Sequence, residues 1–273
     1  MTKLNYSFVL TFIALFFIGC SSDDDSKQDL ENKLVIFKSL TTTKSLAFTE
    51  ETITLDIDGE NFTEILVSSN NPRVTITEVS STTYTVKASE ALNAIISVQL
   101  KNDTNIETES VTLDFFEHGV KDFKIVEGIE IDVDKTDKII GLLGEPEGKA
   151  DSTNGENEFW YYFSKGFSLW VRKSTGLVYD ARVYGINWNR TIDDVEISGI
   201  GYPYEIGNSW NLPNAQLRMD DVISEFGDPI SKFESSTPDS TLRWYVYNDV
   251  VFFFFSDSID NFAGRPVAYI NVY

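Results

Sequence analysis

The chain has 273 residues, with 43 aspartates and glutamates against 22 lysines and arginines, and a formal net charge of −21. A field of that sign repels phosphate backbones and anionic head groups, so it excludes nucleic acid as a partner and a basic patch as a membrane anchor. One cysteine permits no internal disulfide, and one histidine leaves no multi-histidine zinc site.

At the N-terminus a single positive charge, Lys3, precedes an apolar run from Phe8 to Ile18 that closes on Gly19 and Cys20. The run is about eleven residues, and a helix needs roughly twenty to cross a hydrocarbon core, so this is the pattern of a cleaved secretory signal over residues 1–19. Phe17-Ile18-Gly19-Cys20 resembles a lipobox. That resemblance implies cleavage before Cys20 and acylation of its thiol, which makes a lipid the membrane anchor. Residues 20–33 read as a polar tether carrying Asp23, Asp24 and Asp25. The acidic run looks like an export signal that sends a lipoprotein to the outer face of the outer membrane, and the expected location follows from it.

Residues 34–117 show short runs rich in Val, Ile, Thr and aromatics, separated by polar turns such as Asp58-Gly59-Glu60-Asn61 and Ser69-Asn70-Asn71-Pro72. Seven candidate strands at this spacing predict a β-sandwich: 34–37, 53–57, 65–67, 74–76, 84–86, 95–100 and 111–115. The stretch from Ile53 to Phe62, with Ile65 to Ser69 and Tyr84 to Ala88, resembles an immunoglobulin-like module of the IPT/TIG kind. Such modules are spacers or binding platforms.

The rest of the chain repeats itself. Residues 136–146 align with 219–229, at an offset of 83 residues. Residues 159–163 then align with 243–247, 167–171 with 251–255, and 177–184 with 266–273, which places Trp160 opposite Trp244. In each unit an aspartate, Asp137 or Asp220, sits where it complements a helix dipole. Apolar residues at helical spacing follow, then Gly144 or Gly227 to end the helix in a left-handed conformation, and Pro146 or Pro229 to stop its continuation. Aromatic and valine-rich strands complete the unit. The prediction is a mainly β chain with α+β character, in which an N-terminal sandwich precedes two tandem helix-on-antiparallel-sheet repeats, 118–185 and 213–273, joined by 186–212.

This order of helix, Leu/Phe-Gly-acidic-Pro, aromatic strand and terminal strand resembles the small α+β unit of outer-membrane assembly lipoproteins of the SmpA/OmlA type. Doubled in tandem, it is similar to β-lactamase inhibitor proteins. Both families are protein-binding modules without catalysis, so the resemblance implies a protein-binding or scaffolding role, no enzyme activity and no cofactor.

Chemistry-bearing residues are few. His118, in Phe116-Glu117-His118-Gly119, reads as a junction residue. Asp56, Asp58, Glu60 and Asn61, and separately Asp132, Asp134 and Asp137, offer oxygen ligands but lack a twelve-residue calcium loop, so no metal is expected. Glu145 and Asp228 form a carboxylate pair only if the fold brings them together. Trp188 and Trp210 fall outside the repeated blocks and are the candidates for stacking on a ligand. The leading expectation is a surface-tethered protein-binding lipoprotein; the alternative is a glycan-binding lipoprotein of a polysaccharide uptake system, stacking sugars on Trp188 and Trp210.

Overall fold

The computed structural model describes residues 33–185, 188–192, 195–206, 210–211, 218–236, 241–256 and 267–273. The signal, Cys20 and Asp23 to Asp25 lie outside the described residues. The fold is mainly β: among the described residues 58% lie in strands, in several sheets, with two helices. Two compact units divide it: one comprises residues up to 43 with 52–87 and 93–113, the other 44–51, 88–92 and everything from 114 onward.

In the first unit, one sheet has the strand order β1 (Ile36–Thr42), β3 (Ile53–Glu60), β6 (Thr83–Ala88), β5 (Val74–Glu78). A second sheet holds β8 (Ile106–Phe116), β7 (Leu92–Lys101) and β4 (Glu64–Ser69). Alternation explains the burial: Ile53, Leu55 and Ile57 point inward while Asp56 and Asp58 point out. On β7, Ala94, Ile96, Val98 and Leu100 do the same. The inner faces meet where Leu100 occupies the space over Gly59. Asp56, Asp58 and Glu60 are therefore the wet side of one strand. Asp56 accepts a hydrogen bond from the Thr83 hydroxyl at 2.9 Å, and Glu60 pairs with Lys38.

The second unit is built on an eight-stranded antiparallel sheet. Its first half runs β12 (Gly148–Asp151), β13 (Asn157–Tyr162), β14 (Phe167–Arg172), β15 (Val178–Tyr184). Its second half is the reverse: β23 (Val267–Val272), β22 (Val250–Ser256), β21 (Thr241–Val246), β20 (Ser231–Ser236). The halves join where β15 pairs with β23, with Ala181 opposite Val272 and Tyr184 opposite Tyr269. Each half is preceded by one helix, α1 (Thr136–Leu143) or α2 (Met219–Phe226).

Both helices begin with acidic residues in the first turn, Asp137 in α1 and Asp220 and Asp221 in α2. Their apolar sides, including Ile139, Leu142, Met219 and Val222, share one core with Leu169, Ala181, Phe252 and Ile270 of the sheet. At the helix ends Gly144 (φ 82°, ψ −176°) and Gly227 (φ 72°, ψ −158°) have positive φ but extended ψ, not the left-handed helical geometry the spacing predicts. That region of φ/ψ space is essentially open to glycine alone, so the residue choice holds for a different reason.

The strand alignment needs a correction. Trp160 faces the helices, 4% exposed, opposite Lys149, whereas Trp244 faces the other side of the sheet, opposite Phe233. The counterpart of Trp160 is Tyr245, opposite Lys232 and buried against the same core. A one-residue slip in a strand exchanges its faces, so an alignment tolerable in a helix reverses orientation here.

Smaller sheets complete the unit. β9 (Val120–Lys121), β10 (Ile125–Val126) and β11 (Ile129–Glu130) combine with β18 (Glu205–Ile206) and β19 (Trp210–Asn211) into one, and β16 (Trp188–Ile192) pairs with β17 (Val195–Gly199). β2 (Leu46–Phe48) runs parallel to the last residues of β8, Asp114 to Phe116.

Candidate functional site

The side of the eight-stranded sheet opposite the helices is the most distinctive surface of the second unit. One large planar side chain from each of seven adjacent strands stands in a row, Phe159, Trp170, Arg182, Tyr269, Phe253, Trp244 and Phe233, in which all but Arg182 are register partners of a neighbour and Arg182 lies diagonally between Trp170 and Tyr269. Phe159 meets Trp170 edge to face at 4.7 Å and 88°. The Arg182 guanidinium lies 5.5 Å from the centre of the Trp170 ring and 4.4 Å from that of Tyr269. Tyr269 stacks on Phe253 at 4.2 Å and 21°, Phe253 on Trp244 at 6.2 Å and 21°, and Trp244 on Phe233 at 5.5 Å and 17°.

These separations are close to the spacing between strands, because rings standing on neighbouring strands meet face to face. Their faces are thus occupied by one another, and ring edges point away from the sheet. Phe233, at the end of the row, is 49% exposed.

Polar groups sit at the middle of the row, where the two halves join. Arg182 Nε donates to Asn271 Oδ1 at 2.9 Å. Asp180, two residues before Arg182 and opposite Trp170, is only 3% exposed. Among the described residues its Oδ1 has no hydrogen-bond partner. Burial pushes its carboxyl up to about 7, against the opposing pull of Arg182 and the Ala181 amide. Beside it, burial and the Asp180 carboxylate together raise the Tyr273 phenol.

His118 is held elsewhere in the same unit. Its ring is stacked between Phe48 (3.8 Å, 14°) and Tyr204 (4.1 Å, 3°). Nδ1 lies 2.6 Å from Glu127 Oε2. Glu127 is 1% exposed, and its other oxygen accepts from the Gly119 amide at 3.0 Å and from the Tyr202 hydroxyl. Both faces and one nitrogen of the imidazole are therefore spent on holding segments 44–51, 117–127 and 202–204 together. This buried cluster has no counterpart in the sequence reading, where His118 is a junction residue; only the fold brings Phe48 and Tyr204 to it.

The remaining candidates separate. Trp188 begins β16 opposite Gly199, while Trp210 pairs with Ile206 in the five-stranded sheet, so their backbones belong to different sheets. Glu145 and Asp228 stand on equivalent turns after α1 and α2, each facing its own lysine, Lys149 at 3.7 Å and Lys232 at 3.6 Å. Asp134 accepts from the Glu130 amide and from Lys138, both at 2.7 Å, and so closes the turn into α1. Among the described residues no group of three acidic, histidine or cysteine side chains is placed to hold a metal ion.

No protein-family model matches this chain. No curated protein matches it either. Among solved structures it is similar to a DUF4309 family protein, YjgB, from Bacillus subtilis, at 12% identity and a TM-score of 0.33, covering 54% of this chain and 82% of that one. A quinonprotein alcohol dehydrogenase-like protein from Bacteroides thetaiotaomicron matches at 12% identity and a TM-score of 0.22, over 85% of this chain and 61% of that one. Domains 4–9 of the surface layer protein SbsC match at 8% identity and a TM-score of 0.23, over 77% of this chain and 29% of that one.

Proposed function

We propose that this protein is a non-catalytic lipoprotein, anchored through Cys20 in the outer membrane and facing outward, that docks a protein partner on the aromatic side of its eight-stranded sheet. In this reading the first unit is an immunoglobulin-like spacer, and the second is a tandem pair of units of the SmpA/OmlA or β-lactamase inhibitor kind. The row from Phe159 to Phe233 carries the proposal. Aromatic and arginine side chains are the groups that anchor protein interfaces, where large area is gained at low conformational cost.

The row itself is a poor platform for a glycan. Sugar rings pack on exposed aromatic faces, and here the faces are taken by neighbouring rings. Histidine-based catalysis is disfavoured because the lone imidazole is sandwiched between Phe48 and Tyr204 and bound to Glu127.

Two experiments test this. Protease added to intact cells should remove the protein if the tether faces outward; full protection would contradict that location. A glycan array should give no binding, whereas binding abolished by Trp188→Ala would overturn the protein-partner reading.

A further inference from the structure

We infer that the aromatic sheet face recognises a carboxylate-bearing peptide segment, with Arg182 and Arg172 receiving its acidic groups; this rests on the docking role proposed above. The chain as a whole carries −21 charges, yet this face breaks the pattern. Alternation on β14, β15 and β23 sets Arg172, Arg182 and Asp180 on the same side as Trp170, Tyr269 and Asn271. Among the described residues of the eight strands these are its charged groups, and the one acid is buried.

Arg172 is exposed at the end of β14, its guanidinium 5.1 Å from the centre of the Tyr179 ring. Tyr179 in turn meets Trp170 edge to face at 6.0 Å. The two arginines thus flank Trp170, Arg182 directly and Arg172 through Tyr179. An open cavity of about 540 Å³ lies beside Arg172, lined also by Asn157, Ser174, Tyr179 and the oppositely charged Glu156 and Lys173, and is roomy enough for an acidic side chain. Guanidinium groups held against rings present in-plane N–H donors for the bidentate pairing that carboxylates accept, and in Arg182, whose Nε donates to Asn271, these are the terminal N–H groups.

Asp180 adds a signature. The titratable and charged groups around it are Arg182 and Tyr179 on its own strand and Tyr273 just beyond β23, with Arg172 on β14 acting on Tyr179. An anionic segment laid on this face removes water and adds negative charge, and both effects favour protonated Asp180. Binding therefore takes up a proton, and affinity rises as pH falls through about 7. A cationic segment gives the opposite slope.

The test uses the purified full-length protein and three dye-labelled peptides, Ac-DWDWD-NH2 and its serine and lysine analogues, followed by fluorescence anisotropy at pH 6 and pH 8. The acidic peptide should bind about tenfold more tightly than the serine one, and the lysine one most weakly. Arg172→Gln, at an exposed position, should remove most of that preference without unfolding the protein, and Asp180→Asn should abolish the pH dependence. Equal binding of the acidic and serine peptides, lost in Phe253→Ser, overturns the carboxylate preference and leaves the docking face intact. Stronger binding of the lysine peptide also overturns it. No binding of any peptide overturns both readings.

Discussion

Asp180 is the residue at which burial and charge conflict most openly. Its folded-state carboxyl titrates at about 7, while in an unfolded chain it titrates near 4. Between those values the folded protein holds a proton that the unfolded chain has released. The contribution to stability is therefore complete below about pH 4 and lost as pH rises through 7. We expect Asp180→Asn to be more stable than the parent at pH 8 by on the order of a few kcal/mol, with the gap closing by pH 4. Urea denaturation at both pH values checks this, and a pH-independent gap would contradict it. Glu127 is the complementary case, a buried carboxylate supplied with donors. Tyr202→Phe leaves one of its oxygens with the Gly119 amide alone, at a cost of about 1–3 kcal/mol by thermal or urea unfolding. Neither residue announces itself in the sequence. An aspartate two residues before an arginine in a valine-rich strand is ambiguous until the strand is known to be central.

At the scale of elements, the two helices were the most legible features, because glycine and proline punctuate them. Each ends under a tyrosine: the Tyr162 hydroxyl on β13 donates to the Gly144 carbonyl and that of Tyr247, just past β21, to the Gly227 carbonyl, both at 3.0 Å. Replacing either with phenylalanine should cost about 1 kcal/mol, more for the buried Tyr162 than for the partly exposed Tyr247. Equal losses in chemical denaturation would contradict that ranking. The strands were legible as strands but not as faces. In β13, Trp160 and Tyr162 point to the helices while Phe159 and Tyr161 point away, so both sides are aromatic and periodicity gives no direction. The run Phe252 to Phe255 misleads in the same way, since Phe252 and Phe254 are core and Phe253 joins the row on the other side. A strand that is apolar on both sides was the available signal that the second side also meets something.

For the molecule as a whole, composition carried the mainly β architecture; the strands β12 and β20 that follow the two helices lie outside the repeated blocks and were not legible. The joining of the halves into one eight-stranded sheet was not legible, because pairing between β15 and β23 depends on which strand edges are left free. In the structure both strands are buried along nearly their whole length, as strands in the middle of a sheet are, although β15 carries Asp180 and Arg182 and β23 carries Asn271. The consequence is a single continuous face, with Arg182 at its centre and rings from both halves on either side. Trp188 and Trp210 lie outside the repeated blocks, whereas the row is formed, Phe233 apart, from residues inside them.

That face is the central claim, and site-specific photocrosslinking on intact cells tests it most directly. A photoreactive side chain placed at position 233, the exposed end of the row, should trap a single protein of defined mass. The same group at position 138, on α1 across the sheet from the row, should trap none. Capture from position 138 and not from 233, or from neither, would contradict the account.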